Sequence, residues 1–266
     1  MAGSIIYKAW REQHRSLLET LSERETLMLF SGGKDSSAAL DLLAEAGTEF
    51  GFIPTVRSGA YPVHRYPAAD RERISEYWRG RGIEIHWHDL AEDDSDLENA
   101  QDPCKACQVL RKKMLARFLD ETQLSWEKLV MVTSYNLWDL VSYSVEHILG
   151  DIFGKGEGDG NRFMETAQRF HPALHMKEGY TVFRPLITFN EGEVKDLIKR
   201  KAIPTLTASC KFGSLRPKRI LGDYYRALAL EFDYRKVLDF AVKSLGLPPA
   251  SSYECIEREK FIGTLF

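Results

Sequence analysis

The sequence is poor in cysteine, has no long uninterrupted apolar stretch and carries no excess of positive charge. Its four cysteines in 266 residues are too few for a disulfide framework. No run approaches the length of a membrane-spanning helix, and the first residues lack the basic and apolar regions of a secretory signal. A net charge of −3 argues against a protein that coats nucleic acid through bulk positive charge. These absences predict a cytoplasmic protein with no membrane partner.

Apolar side chains make up 44% of the sequence, which is enough for a substantial core. Strand-like apolar runs alternate with helical patterns up to about residue 205. The predicted strands cover 27–30, 50–56, 83–90, 129–133 and 181–186. The predicted helices include 38–46, closed by Gly47, as well as 70–81, 107–119 and 191–201, the last with Asn190 as its N-cap. The alternation predicts an α/β fold with a doubly wound parallel sheet over 1–205 and a small helical C-terminal extension over 206–266.

A glycine-containing turn, Ser31-Gly32-Gly33-Lys34-Asp35-Ser36, stands where the first strand ends and a helix begins. We call residues 31–36 the glycine loop. A helix start offers unpaired N–H groups and a positive dipole end, which suit phosphate. The two glycines permit positive φ and close approach to an anion. Lys34 can neutralise phosphate charge, and Ser31 and Ser36 offer hydroxyl donors. The spacing is not that of a Walker loop. The pattern predicts a phosphate-binding loop of another kind.

Cysteine placement leaves several chemistries open. Cys104 and Cys107 form a CxxC motif, which is compatible with half of a zinc site, a redox dithiol or chance. A position just before a predicted helix favours thiolates and hence metal binding. Cys210 is isolated and lies within 195–219, a segment with eight basic residues and one acid. Cys255 has no partner motif, and we assign it no role.

The glycine loop resembles the SGGxDS signature of the PP-loop, or N-type ATP pyrophosphatase, superfamily. In that superfamily the loop holds the pyrophosphate part of ATP, and the enzymes transfer AMP to a substrate oxygen, usually with Mg²⁺. The resemblance implies that residues 31–36 bind ATP. It also implies that Asp35 organises magnesium or pyrophosphate and that Lys34 offsets the charge of the transition state.

Further matches resemble the iron–sulfur tRNA thiolation family, the tRNA 2-thiocytidine and 2-thiouridine synthetases. They are Cys104 and Cys107 with Arg111, Thr133–Asp139, residues 153–156, Arg184–Leu186 with Glu193, Ile203 with Pro204, and Cys210 with Gly213. The resemblance implies a [4Fe-4S] cluster on Cys104, Cys107 and Cys210, with one iron open to carry sulfide. It further implies catalytic roles for Arg111 and Asp139 and nucleotide or acceptor binding by Thr133 and Arg184. A homodimer and a sulfide or persulfide-protein donor are expected on the same ground.

The sequence departs from that family at two positions. Tyr135 stands where the family has histidine, and Trp138 replaces the first of two acids, which leaves Asp139 as the general acid/base candidate. Flanking zinc-binding cysteine pairs are absent as well. The acceptor is therefore a nucleobase either in tRNA or in a free small molecule. Two other interpretations stay open: a PP-loop ligase or amidotransferase with a structural zinc at the CxxC, and a non-catalytic nucleotide-binding redox sensor.

Overall fold

Six short strands form one sheet in the computed structural model, which describes residues 5–59, 67–88, 95–121, 125–153, 167–206, 210, 212 and 217–262. The strands are β1 (Glu25–Leu29), β2 (Thr55–Gly59), β3 (Ile85–His88), β4 (Leu129–Val132), β5 (Ala173–His175) and β6 (Thr181–Phe183). Their order is β3-β2-β1-β4-β6-β5, and all neighbouring pairs are parallel except β5 with β6.

Helices pack against this sheet, and further helices follow the last strand along the chain. They are α1 (Tyr7–Leu18), α2 (Lys34–Phe50), α3 (Ala68–Arg79), α4 (Ser95–Glu98), α5 (Pro103–Glu121), α6 (Leu137–Phe153), α7 (Glu191–Arg200), α8 (Pro217–Ala227), α9 (Tyr234–Ser244) and α10 (Arg258–Ile262). None of the helices within the described ranges is long and apolar enough to span a membrane.

The central strands β1 and β4 bury side chains on both of their faces. Along β1, Met28 belongs to a core shared with α1, α2, α3 and α7, whereas Leu27 belongs to a second core shared with α5, α6 and α9. Successive side chains of a strand point to opposite faces, so the two cores lie on the two sides of the sheet. This arrangement confirms the doubly wound α/β fold.

The strand order reverses between β1 and β4. From β1 the chain moves outward through β2 to β3 and then returns to the other side of β1 as β4. In open α/β sheets, ligands bind in the crevice outside the carboxyl ends of the strands at such a reversal. The fold therefore marks the loops after β1 and β4 as the candidate site.

The C-terminal helices share the second core. Ala241 of α9, Leu247, Tyr253 and Phe261 are buried in the same cluster as Met131 of β4. The helical nature of this region agrees with the expectation for 206–266, and the domain boundary at residue 205 stays a prediction.

Three details differ from the sequence-based expectations. Gly47 does not end its helix, because α2 continues to Phe50 and Gly51, with φ of 76°, follows it. Gly47 instead leaves room for the carbonyl oxygen of Phe52, which a Cβ would meet. The CxxC motif lies inside α5 rather than before it.

The third difference is strand β5, where the sequence predicts no strand. It lies in the stretch 150–179, of which 154–166 are outside the described residues. Three residues are too few to show an alternating pattern, and β5 pairs antiparallel at the sheet edge. The expectation for Asn190 is confirmed, because Asn190 and Glu193 form a capping box at the start of α7.

Candidate functional site

The glycine loop lies at the carboxyl end of β1, as the sequence predicts. Gly33 is the N-cap residue of α2, and Gly32 has a φ of 68°. The N–H of Leu206 donates to the carbonyl oxygen of Gly32 at 2.8 Å, and the Leu206 side chain covers the same glycine. A Cβ at residue 32 would lie 2.7 Å from Cγ of Leu206. Both the positive φ and the close contact therefore require glycine here.

Two serine hydroxyls hold the loop in shape. Ser31 Oγ lies 3.0 Å from Ser36 Oγ and accepts a longer bond of 3.4 Å from the N–H of Gly33. The Ser36 hydroxyl donates to the carbonyl oxygen of Gly33 at 3.0 Å. These bonds organise the first turn of α2, whose free N–H groups are suited to an anion.

Charged groups from three distant parts of the chain meet in the crevice between β1 and β4. Lys34 Nζ pairs with Asp35 Oδ2 at 2.7 Å. The side-chain amide of Asn136 donates to Asp35 Oδ1 at 2.8 Å, and its backbone N–H donates to Asp139 Oδ2 at 2.9 Å. Lys218 of α8 forms an ion pair with Asp139 Oδ1. We call Lys34, Asp35, Asn136, Asp139 and Lys218 the crevice cluster.

Both lysines of the crevice cluster are cationic at neutral pH. Burial lowers the pKa of Lys34, but neighbouring carboxylates, Asp35 foremost, raise it by more, so its pKa is above the ordinary value. Burial likewise lowers the pKa of Lys218, and Asp139 followed by Asp35 raises it by more. Asp139 has both oxygens engaged, one by a backbone N–H and one by a lysine.

Glu191, at the start of α7, borders the cluster. Its Oε1 lies 3.4 Å from Nζ of Lys34 and 3.2 Å from Nζ of Lys195, and its Oε2 lies 3.1 Å from Nη2 of Arg226. Burial raises the pKa of this carboxyl, but the surrounding cations, Lys34 first among them, outweigh it and lower the pKa to about 2. Glu191 is therefore ionised throughout the neutral range.

Thr133 lies directly after β4 and is almost fully buried. Its N–H donates to the carbonyl oxygen of Phe183 at 2.9 Å, which extends the β4–β6 pairing. Its hydroxyl makes no hydrogen bond to any described residue. A buried hydroxyl at this edge of the sheet is suited to a polar group of a ligand.

Arg184 lies beneath the site rather than on its surface. It is completely buried, and its guanidinium donates to the carbonyl oxygen of His171 at 3.0 Å and to the side chain of Gln168. Burial lowers its pKa to about 10. Its predicted contact with adenylate or acceptor stays a prediction.

Tyr135 and Trp138, the two residues that differ from the thiolation pattern, both pack against other side chains. The ring of Tyr135 packs on the buried guanidinium of Arg169, and Cζ of Arg169 lies 5.3 Å from the centroid of that ring. Trp138 stacks on Phe232 at 5.8 Å and contacts Tyr225 of α8 at 5.6 Å. Trp138 therefore docks the helix that carries Lys218, which gives the replacement of an acid by tryptophan a structural role.

Cys104 and Cys107 lie one helical turn apart on α5, and Arg111 follows four residues later on the same side of the helix. Neither of these cysteines, nor Cys210, is in a disulfide bond. Within the described ranges, no three His, Cys, Asp or Glu side chains stand close enough together to hold a metal. The structure thus pairs two of the cysteines without assembling the three-cysteine site, which stays a prediction. Gly213 and residues 154–156 lie outside the described residues.

Sequence reasoning missed three members of the site: Asn136, Lys218 and Glu191. Asn136 lies inside the matched segment Thr133–Asp139, so an amide facing the glycine loop was open to detection. Lys218 belongs to the basic segment 195–219, but its contact with Asp139 spans 79 residues of chain.

No protein-family model and no curated protein sequence matches the chain. Among solved structures, it is similar to the U34-tRNA thiolase NcsA from Methanococcus maripaludis, described with its [4Fe-4S] cluster. The TM-score is 0.64 and the identity 17%, over 91% of this chain and 81% of that one. It is also similar to the NMN synthetase from Francisella tularensis, with a TM-score of 0.45 and 14% identity over 98% and 92% of the two chains. The likeness to the thiolase extends over most of both chains and shows that they share a fold.

Proposed function

We propose that the protein is an ATP-dependent sulfurtransferase that adenylates a nucleobase-like carbonyl and replaces its oxygen with sulfur. The observation that carries this proposal is the position of the glycine loop at the reversal of the strand order. There, Lys34 and Asp35 of the loop meet the other members of the crevice cluster. A phosphate-binding helix start, two lysines and two carboxylates in one crevice are the groups that ATP and a divalent cation need.

ATP binding is assigned to the glycine loop, with Lys34 as the counter-charge and Thr133 near the nucleotide. Mg²⁺ favours one or two carboxylates together with substrate phosphates, and Asp35 would supply one of them. Asn136 donates to Asp35 and to Asp139, and Asp139 is engaged by Asn136 and Lys218 through its two oxygens. When bound, the ion neutralises phosphate charge.

The proposed chemistry proceeds in two displacements. The carbonyl oxygen of the acceptor forms a bond to the α-phosphorus of ATP, and pyrophosphate leaves. Hydrosulfide then attacks the activated carbon, and AMP leaves with the original carbonyl oxygen. With a persulfide donor protein, the terminal sulfur attacks in the same way, and a second thiol of the donor then breaks the S–S bond, which leaves sulfur on the carbon and a disulfide on the donor. Lys34 stabilises the negative charge that develops on the phosphates in the first step.

The finer proposal concerns the thiols. We assign Cys104, Cys107 and Cys210 to a [4Fe-4S] cluster, supported by the helical pairing of the first two and by the cluster named for the thiolase relative. We expect a brown protein with iron after anaerobic purification. A colourless protein that contains zinc and no iron would instead support the ligase or amidotransferase interpretation.

The acceptor is a nucleobase in tRNA or in a free small molecule. The basic segment 195–219 offers the phosphate contacts that tRNA requires, while the rest of the chain is acidic. The homodimer expected from the family resemblance is part of the same proposal.

Mass spectrometry after incubation with ATP, Mg²⁺ and sulfide tests the function. Bulk tRNA and free purines and pyrimidines are compared for the mass increase that replacement of oxygen by sulfur produces. The Cys210→Ala variant is expected to lose sulfur transfer and to keep ATP binding, whereas Cys255→Ala, at an exposed thiol, is the matched control. ATP binding without pyrophosphate release for every acceptor would favour the sensor interpretation and contradict the enzyme.

A further inference from the structure

Lys218 is the one member of the crevice cluster contributed by the C-terminal helices. It lies in the first turn of α8, pairs with Asp139 and is near enough to Asp35 for that carboxylate to raise its pKa as well. About a third of its side chain is exposed, although its ammonium group is paired with Asp139.

The charge of the crevice depends on this residue. Lys34 faces three carboxylates, Asp35, Glu191 and Asp139, all of which raise its pKa. Glu191 is also paired with Lys195 and Arg226, so Asp35 and Asp139 are the carboxylates that the crevice cluster itself must balance. With Lys34 alone the cluster would carry a net charge of −1, which repels the polyphosphate of ATP. Lys218 brings the cluster to neutrality, so that the positive end of α2 is left to attract an anion.

We propose that Lys218 binds the polyphosphate of the nucleotide opposite the glycine loop, so that α8 forms one wall of the ATP site. Asp139 is then a positioning residue for Lys218: it takes the N–H of Asn136 with one oxygen and holds the lysine with the other. The inference rests on the proposed function, because it assumes that ATP is the ligand of the crevice.

A merely structural Lys218 would only clamp α8 to α6. Trp138 already joins these helices through Tyr225 and Phe232, and Gly222 of α8 lets the indole approach. The contacts of Trp138 therefore dock α8 without the ammonium group of Lys218, and that group is available to a ligand in the crevice.

Calorimetric titration with Mg·ATP and, separately, with adenosine tests the assignment. The variants are Lys218→Met, Lys218→Arg and Lys243→Met, which removes the same charge from an exposed pair on α9. Lys218→Met is expected to weaken ATP binding about 10- to 100-fold, because a charge-assisted bond to phosphate is lost, and to leave adenosine binding unchanged. Lys218→Arg retains the charge and most of the ATP affinity, and Lys243→Met binds as wild type does.

If Lys218→Met binds Mg·ATP as tightly as wild type does, the inference about Lys218 is overturned. The proposed function is unaffected by that result, because wild type still binds ATP. Equal losses for ATP and adenosine, or loss of both through misfolding, would also overturn it, because they indicate a structural role. Wild-type protein that does not bind Mg·ATP contradicts the proposed function itself.

Discussion

At the scale of single residues, the two adjacent glycines of the glycine loop differ in what a methyl group would meet. Gly32 has positive φ and lies under Leu206, whereas Gly33 has a φ of −80° and its added Cβ would lie 3.5 Å from Ser31 Oγ. Gly32→Ala is expected to lower the free energy of unfolding by about 2 kcal/mol through backbone strain and the side-chain clash. Gly33→Ala is expected to change it little.

Urea unfolding of the two alanine variants measures this difference. Adding Leu206→Ala to Gly32→Ala removes the clash but not the strain, so its effect separates the two causes. Equal stabilities of the Gly32 and Gly33 variants would show that neither the φ value nor the Leu206 contact constrains residue 32.

His14 of α1 gives the protein a defined acid sensitivity. It is buried against Trp10 and Phe183, and burial lowers its pKa from 6.5 to about 4. The unfolded chain takes up a proton as the pH falls through about 6.5, while the folded chain stays neutral until about pH 4. The stabilising contribution is therefore complete above pH 6.5 and is lost as the pH falls towards 4, about 3 kcal/mol in all.

The variant His14→Leu replaces the imidazole with an apolar side chain of similar size and so removes the titratable group. Guanidinium unfolding at pH 7.5 and pH 4 should show that wild type loses about 3 kcal/mol more than the variant between the two values. Equal losses for both proteins would mean that His14 is already charged, or not buried, in the folded chain.

Site residues differed in how far local sequence revealed them. The glycine loop combines a strand, two glycines and a helix start within ten residues, so its position between β1 and α2 followed from neighbours in the chain. Lys218 and the amide of Asn136 act across 79 and 101 residues. The packing of α8 on α6, which creates the Lys218 contact, leaves no local signal. Asn136 lies within the segment Thr133–Asp139, but its contact with Asp35 also requires that β1 and β4 be neighbours.

At the scale of elements, α2 and α7 are joined by a buried carboxylate. Asp41 is completely buried and pairs with Arg81, which follows α3, and with Lys201, which follows α7, both at 2.6 Å. Asp41→Asn is expected to cost about 3 kcal/mol, because it removes the anion that two cations share. Asp239→Asn, which breaks an exposed pair on α9, is expected to cost less than about 1 kcal/mol.

Thermal and denaturant unfolding of both variants checks the comparison. If Asp41→Asn and Asp239→Asn were equally stable, the ion pairs of Asp41 with Arg81 and Lys201 would contribute nothing beyond the pair that Lys201 also forms with Glu45 of α2.

Elements were predictable to the extent that their pattern was long. The alternation of apolar runs and helices identified five of the six strands, whereas β5 is only three residues long. The end of α2 was placed early because Gly47 resembles a stop signal. Its true role, space for the Phe52 carbonyl, depends on the chain that follows Gly51.

At the scale of the whole molecule, the second core ties the C-terminal helices to the sheet. Tyr253 and Phe261 lie in the same cluster as Met131, and Trp138 packs against α8. The composition of the last sixty residues predicts helices, but their attachment to the α/β part depends on aromatic contacts that have no period in the sequence.

The position of β1 between β2 and β4 has a consequence for synthesis. Pairing of β1 with β2 closes within about thirty residues of chain, whereas β4 and then Lys218 emerge from the ribosome much later. A growing chain can therefore bury part of its sheet long before the crevice cluster is complete. Under the proposed function, ATP would stabilise only those nascent chains in which Lys218 has joined the cluster, so ligand binding would act late in folding.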